Sequence, residues 1–452
     1  MRIKLKNFKK LYPVQILALF FIVVIIIGSF LLTMPISSSS GVMTNYLDAL
    51  FTATSATSVT GLVTLDTGTY WSPFGTTVIL MLIQIGGLGI MSFTTFGVLK
   101  YGNKISLYTS LLMKEALNVD EFQGMSRMIR YVIIFVVAVE LLGMIFLSFV
   151  FVPKYGLFHG LYVSLFTSIS AFCNAGFDIF GNFSSLTSYY SSAYVLIICM
   201  ALIILGGIGF SVITEFIIYR YTKKISVTTK VVLVTTFFLV LIGAALYFIF
   251  EYDNPLTFQN MSLGNKVLNS IFSSVSPRTA GFNSIDLSGI RSGTVFLTCI
   301  LMLIGGSPGS TAGGIKTTTF GVIILSIYHY IRNKNRTIVL GKEIPAKTIN
   351  KAFIVSFVAL FFISTFVILI SMTNKDASFR SIVFEVFSAF NTVGLSLGLT
   401  SELNGLGKIL IILAMYLGRV GTLTLIFAFT NKHDNSKKSS SIKYPEVKIT
   451  VG

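Results

Sequence analysis

Four short stretches of this chain carry a pattern whose chemistry would reside in backbone carbonyls. Val59-Thr60-Gly61-Leu62, Asn174-Ala175-Gly176-Phe177, Thr279-Ala280-Gly281-Phe282 and Thr392-Val393-Gly394-Leu395 each hold a glycine in third place. The glycines are 115, 105 and 113 residues apart, and a quarter of the 452-residue chain is 113. A small residue, Ala56, Ala171, Ser276 or Ala389, stands five positions before each. A second echo follows 24 to 30 residues later as Gly86-Gly87, Gly206-Gly207, Gly305-Gly306 and Gly418-Arg419. Glycine admits φ > 0, which lets successive carbonyls turn toward one line. A ring of such carbonyls can replace the hydration shell of an alkali cation. Side-chain chemistry has little to offer beside this. Cys173, Cys199 and Cys299 are widely spaced and odd in number, and His159, His329 and His433 are scattered, so neither a disulfide framework nor a zinc site is expected. No His-Glu-x-x-His, Ser/His couple or Walker A motif is present, so the chain does not read as an enzyme or as a nucleotide binder in its own right.

The elements that must hold these glycines are membrane spans. The chain is 54% hydrophobic and only 11% charged, with a mean hydropathy of +0.83, whereas a soluble domain carries about a quarter charged residues. We read eight full spans: 11–34, 74–99, 129–152, 192–219, 231–250, 292–331, 349–372 and 405–430. The run Val14 to Leu32 is too long for a signal-peptide core and lacks a small-x-small cleavage site, so it is read as a retained first helix. The net charge of +17 does not imply nucleic acid. Of the 34 basic residues, 25 fall in 1–10, 100–130, 220–230, 329–351 and the tail beyond 431, as cytoplasmic loops require. Both termini then lie in the cytoplasm. The outer loops contain apolar segments 45–57, 160–172, 264–275 and 379–390, each reaching only ~18 Å, roughly half a bilayer. Each runs into one of the four glycines.

The expected fold is therefore an all-α polytopic membrane protein of eight transmembrane helices and four re-entrant half-helices. They form four parallel helix, half-helix, glycine turn, helix repeats around a pseudo-fourfold pore. Residues 1–10 form a cytoplasmic N-terminus, 11–99 the first repeat and 100–128 a cytoplasmic loop. The second repeat is 129–219 and the third 231–331, followed by a cytoplasmic loop 332–348, the fourth repeat 349–430 and a tail 431–452. Irregular backbone at membrane depth must be buried by protein or line a watery cavity. Four half-helix C-termini, each carrying about −0.5 charge, would favour a cation where they meet. The segment from Gly305 to Gly314 holds five glycines and Pro308 within an apolar run and must break the helix around it.

These motifs resemble the Trk/Ktr/HKT superfamily of potassium transporters, in particular the membrane subunit of its Ktr branch, over about residues 12–430. The resemblance rests on the four glycine stretches, the Gly305–Lys316 segment and Gly418-Arg419-Val420-Gly421. It implies a selectivity filter formed by Ser58, Val59, Thr60 and Gly61; by Cys173, Asn174, Ala175 and Gly176; by Arg278, Thr279, Ala280 and Gly281; and by Asn391, Thr392, Val393 and Gly394. Their carbonyls would hold K⁺. In that family glycine at all four positions accompanies potassium preference and serine at the first accompanies sodium, so K⁺ is the implied ion, with Na⁺ as an alternative. It also implies an intramembrane gate of Gly305, Gly306, Ser307, Pro308, Gly309, Ser310, Thr311, Ala312, Gly313 and Gly314, with Lys316 and Arg419 beside it. The implied partners are a second copy of the chain in a bacterial plasma membrane and a cytosolic ring of RCK domains binding adenine nucleotides. Lys100–Arg130, Arg332–Lys351 and the tail after Asn431 are the candidate docking segments.

Several readings stay open from the residues alone. A charge at the depth of Arg419 costs at least ~2.5–3.5 kcal/mol, so it either faces the pore or forms an ion pair, with Glu140 or Glu385 as candidates. Lys316 either gates or caps and snorkels. Arg278 is expected to anchor its region through backbone or a carboxylate. Asp66, Asp178, Asp286 and Glu402 would draw cations to the outer mouth, although Lys154, Lys266, Arg291, Lys375, Arg380 and Lys408 lie on the same side. Competing functions are a Na⁺- or H⁺-coupled carrier, a less selective K⁺/Na⁺ channel, and a non-conducting scaffold. Parallel rather than inverted repeats weigh against the carrier.

Overall fold

A computed structural model describes residues 13–89, 125–334 and 336–421. The basic N-terminus, residues 100–124 of the first cytoplasmic loop, the ends of two spans (90–99 and 422–430) and the tail lie outside the described residues. Sixteen helices are found among the described residues: α1 (Pro13–Thr33), α2 (Tyr46–Ser58), α3 (Thr67–Tyr70), α4 (Pro73–Leu88), α5 (Met125–Tyr155), α6 (Leu157–Phe172), α7 (Ala193–Gly207), α8 (Phe210–Thr222), α9 (Val227–Glu251), α10 (Leu263–Val275), α11 (Ser292–Leu303), α12 (Thr317–Ile331), α13 (Ala346–Thr373), α14 (Phe379–Phe390), α15 (Leu399–Glu402) and α16 (Gly405–Val420). A hairpin of Ile338–Val339 (β1) with Lys342–Glu343 (β2) joins α12 to α13.

Local chemistry sets most helix starts. Side chains of Asn45, Ser72, Ser192, Ser226, Ser262, Ser378 and Asn404 accept a backbone N–H in the first turn of α2, α4, α7, α9, α10, α14 and α16, which satisfies a donor that the helix cannot use. Tyr131–Tyr155, Val227–Glu251 and Ala346–Thr373 are long and apolar enough to cross a bilayer. They present phenylalanines outward, with Phe149 67%, Phe237 62% and Phe357 73% exposed, as lipid-facing helices do.

Cores form where the short helices pack. Helix α2 lies on α1 and α4, α6 on α5 and α7, α10 on α9, and α14 on α13 and α16. Each group also leans on the next: α4 on α6, α7 on α10, α11 on α14 and α16 back on α2. The four groups thus close into a ring in chain order. Lys408 Nζ meets Asp48 Oδ1 at 2.6 Å across the seam between last and first groups, both side chains mostly covered at 18% and 16% exposure. Breaking a partly buried pair on one side strands a charge, so Lys408→Met is expected to cost about 2 kcal/mol, below the range for fully buried pairs. Arg291→Met, which breaks the exposed pair with Asp253, should cost less than ~1 kcal/mol. Thermal inactivation midpoints in detergent would read both.

The expected span 192–219 is bent in the structure. Helices α7 and α8 meet at 94° across Ile208-Gly209, with Gly209 at φ +99°. The break persists because another segment takes the freed backbone groups: Ser307 N donates to Gly207 O at 2.9 Å, Thr311 N to Gly206 O at 3.3 Å, and Phe210 N to Gly309 O at 2.8 Å. The second glycine echo has a steric cause. A Cβ on Gly86, Gly206 or Gly418 would lie 2.0, 1.8 or 1.8 Å from the carbonyl oxygen of Thr57, Phe172 or Phe390. These helices press directly on the ends of the short ones.

Candidate functional site

Gly61, Gly176, Gly281 and Gly394 come together from their distant places in the chain. Built Cβ atoms on them would lie 2.4 Å from Ala175 O, 2.8 Å from Gly281 Cα, 2.4 Å from Val393 O and 2.1 Å from Thr60 O. Each glycine therefore faces the stretch of the next group, in the same cyclic order as the helices. All four have positive φ, at +96°, +68°, +78° and +97°. The built Cβ on Gly176 would also lie 3.0 Å from Ala280 O, so each glycine has a backbone carbonyl of the next group beside it.

Composition does not reveal how the turns are built. The residues two before the glycines, Val59, Asn174, Thr279 and Thr392, are also left-handed, at φ +58°, +58°, +75° and +52°. Three of them are β-branched and pay a steric cost there; only Asn174 carried a signal in its residue type. The intervening residue has negative φ, and this alternation turns carbonyls to one side. In three groups the short helix ends in a Schellman motif. Thr60, Ala175 and Val393 N donate to Ser55, Ser170 and Ser388 O, each at 2.8 Å, while Val59, Asn174 and Thr392 N donate to Ala56, Ala171 and Ala389 O. The small residue five before the glycine is thus a bonding position of the motif. The third group differs: Ala280 N donates to Ser276 O at 2.9 Å, a shorter turn following Pro277.

The loop between α11 and α12 sits against one end of this ring. Gly305 N and Ile315 O bond at 2.9 Å and Ile315 N donates to Leu303 O at 3.1 Å, closing the loop's neck. Thr311 Oγ1 bonds Gly206 O at 3.1 Å and Phe172 O at 3.3 Å and meets the Asn174 amide at 3.3 Å. A Cβ on Gly313 would lie 2.1 Å from Thr392 Oγ1. Gly306, Ser307, Pro308, Gly309, Ser310 and Gly314 form the rest of the loop, and Ser307 Oγ is 2.9 Å from Thr317 Oγ1.

Arg419 forms no ion pair among the described residues. Its Nη1 donates to Thr311 O and its Nη2 to Gly86 O, so it ties the loop to the first group. The two candidate carboxylates are occupied elsewhere. Glu140 accepts from Gln84 Nε2 at 3.1 and 3.2 Å, and Glu385 bonds Ser396 at 2.7 Å and also Thr400. Lys316 Nζ donates to Ala312 O at 2.7 Å, within the loop. Arg278 departs from expectation. It is buried, and it bonds the Thr236 hydroxyl at 3.5 Å rather than backbone or a carboxylate. It packs beside Ile203, Ile204 and Gly207 at the C-terminal end of α7, where the helix end favours a cation.

On the other end the ring opens to a cavity of about 290 Å³ lined by all four glycines, with Asp178, Asp286 and Ser396 among its walls. Of the four carboxylates expected at this mouth, Asp66 instead accepts from Thr69 N and Phe183 N at 3.0 and 2.8 Å, bracing two loops, and Glu402 is not in the lining. Burial pushes the Asp178 carboxyl up to about 7, with the negative charge of Asp66 adding to the rise and a bond from Phe180 N opposing it.

Comparison with known proteins gives the family and the fold. The family model described as TrkH, cation transport protein, matches residues 6–441. The chain is 43% identical over 440 residues to Ktr system potassium uptake protein B of Bacillus subtilis, covering 97% of both chains. It is 40% identical to potassium/sodium uptake protein NtpJ of Enterococcus hirae, covering 98% of both. The fold matches the crystal structure of the potassium transporter TrkH from Vibrio parahaemolyticus with a TM-score of 0.73 at 17% identity, over 95% of this chain and 86% of that one.

Proposed function

The chain belongs to the TrkH family of cation transport proteins, and on that premise we propose that it is the ion-conducting membrane subunit of a bacterial potassium uptake system. The family and its fold are those of ion transporters, not enzymes. In this reading the protein spans the plasma membrane eight times with both termini in the cytoplasm. Four re-entrant half-helices end at a pseudo-fourfold filter. K⁺ passes inward along the carbonyls of residues 58–61, 173–176, 278–281 and 391–394. The driving force is the membrane potential, worth about 2.3 kcal/mol per 100 mV for one charge, or roughly fiftyfold accumulation.

The observation that carries the proposal is the closure of four left-handed glycines onto one another's carbonyls. Such a ring offers only oxygen dipoles, at the meeting point of four helix C-termini, which suits a dehydrated monovalent cation. The loop 305–316, seated against the ring and tied by Arg419, is then the gate, with Lys316 closing its inner turn. The partners are a second copy of the chain and a cytosolic RCK ring that binds adenine nucleotides. The name of the Ktr relative supports a system of more than one component. The name of the Enterococcus relative favours one alternative, a channel passing both K⁺ and Na⁺. Expression in a bacterium stripped of its own potassium uptake, together with a Ktr-type ring subunit, tests the whole reading. Growth at low potassium and rubidium uptake are expected. Absence of both, with the protein present in the membrane, would leave a non-conducting scaffold.

The cavity wall gives the proposal a pH signature. Asp178 loses its proton as external pH rises through about 7. Its negative charge, and with it cation attraction at the mouth, is present above that value and lost below it. Apparent K⁺ affinity should fall about two- to threefold between external pH 8 and 6, a modest effect because the site is partly open to water. Asp178→Asn should show the low-pH affinity at both values.

A further inference from the structure

We propose that four buried serines, Ser55, Ser170, Ser276 and Ser388, are positioning residues that set ion preference by fixing the peptide planes of the ring; this rests on the potassium-filter reading above. Each stands in the last turn of a short helix or at its end, is essentially inaccessible, and spends its hydroxyl on the adjoining glycine stretch. Ser55 Oγ accepts from Gly61 N at 3.1 Å and Ser388 Oγ from Gly394 N at 3.0 Å. Ser170 Oγ donates to Phe177 O at 2.6 Å, and Ser276 Oγ donates to Phe282 O. Four hydroxyls from four groups reach the backbone at or just after the glycine, two at its N–H and two at the next carbonyl, although the third serine lies one residue nearer its glycine.

The two kinds of bond have different consequences. In a trans peptide the N–H and the preceding C=O point in opposite directions. Holding the Gly61 and Gly394 N–H groups outward against serine therefore holds the Thr60 and Val393 carbonyls inward, where they crowd Gly394 and Gly281. Without the hydroxyl, a buried N–H has no partner, and rotation of the peptide to find one carries the carbonyl out of the ring. In the second and third groups the serine draws the carbonyl just beyond the glycine, Phe177 or Phe282, away from the axis. Serine thus restrains the inner oxygens of the ring in the first and fourth groups, and the next layer toward the mouth in the second and third. Ion preference should depend most on Ser55 and Ser388.

The experiment compares Ser→Ala variants at the four positions with Ser164→Ala, whose hydroxyl bonds only within its own helix, to Gly160 O at 2.7 Å. The full chain with its ring subunit is assayed for inhibition of rubidium uptake by K⁺ and by Na⁺. Purified protein is assayed in parallel for thermal protection by KCl over NaCl, which reads ion preference even in a variant that no longer transports. Ser55→Ala and Ser388→Ala are expected to lower K⁺ over Na⁺ preference at least fivefold, with Ser170→Ala and Ser276→Ala changing it about twofold. Ser164→Ala should leave it unchanged, and Ser55→Thr, which retains a hydroxyl, should recover most of the loss. Preference within twofold of wild type in both Ser55→Ala and Ser388→Ala, in protein that reaches the membrane, would overturn the proposal. A wild-type protein that neither takes up rubidium nor is protected by KCl would instead overturn the potassium-filter reading on which it stands.

Discussion

Serine in place of Gly61 should cut the preference for K⁺ over Na⁺ by tenfold or more while the protein still folds and inserts. Any side chain at this position would carry a Cβ 2.4 Å from Ala175 O, at φ +96°, and real Cβ atoms do not approach backbone so closely. Left-handed geometry alone costs an L-residue roughly 1–2 kcal/mol, and 1.4 kcal/mol is a factor of ten in any equilibrium the strain biases. The clash cannot relax locally. Ala175 is tied through its N–H to Ser170 O at 2.8 Å, and Gly61 through its own N–H to Ser55 Oγ at 3.1 Å. The first stretch must move outward, which opens the ring at one seam and, in the proposed filter, would lose the fit to a dehydrated ion. Competition of K⁺ and Na⁺ against rubidium uptake would measure the change. Gly264→Ala is the matched control, because a Cβ there meets nothing within 4 Å and the substitution favours the helix. Equal preference in Gly61→Ser and wild type would place ion discrimination somewhere other than this ring.

Arg419→Ala should act in the opposite direction, raising the initial rate of rubidium uptake roughly five- to tenfold at saturating ion. The guanidinium spans Thr311 O in the loop and Gly86 O in the first group, two charge-assisted bonds worth roughly 1.5–3 kcal/mol each. In the proposed pore it would also set a fixed positive charge beside the route of a cation. Its removal frees the loop on that side without unseating it, because Ser307 N, Thr311 N and Gly309 O remain bonded to the break between α7 and α8. Arg419→Lys separates the two effects. An ammonium keeps the charge but lacks the planar fork that reaches two carbonyls at once, so a rate between wild type and Arg419→Ala would assign part of the barrier to the latch. A rate in Arg419→Ala at or below wild type, at equal protein abundance, would make this arginine a structural brace and not a barrier to the ion.

The all-helical membrane fold was legible in composition and apolar runs, and the recurrence of four glycines near quarter-chain intervals singled out the residues that the structure brings together. The glycine-rich stretch from Gly305 cannot continue a helix. The break between α7 and α8 was not legible in the same way. Gly206-Gly207-Ile208-Gly209 reads as a tolerated glycine cluster inside a span, and it becomes a 94° bend only because a loop about a hundred residues away takes up its backbone groups. The left-handed Val59, Thr279 and Thr392 were equally hidden, since nothing in a β-branched side chain announces φ > 0.

Which residues are apolar, where helices must start or fail, and which glycines recur can all be read along the chain. Those properties depend on local sterics, capping and hydrophobic burial, which act within a few residues. The assembled fold sets which carbonyl each glycine meets, that Ser55 and Ser388 hold glycine amides while Ser170 and Ser276 hold carbonyls, and that Arg419 reaches Gly86 and not Glu140 or Glu385. Those partners are set by closure of four groups into a ring, where α16 returns to α2 and residues more than three hundred positions apart come within hydrogen-bond reach. Hydrogen bonding needs distance and direction, and a linear pattern carries neither.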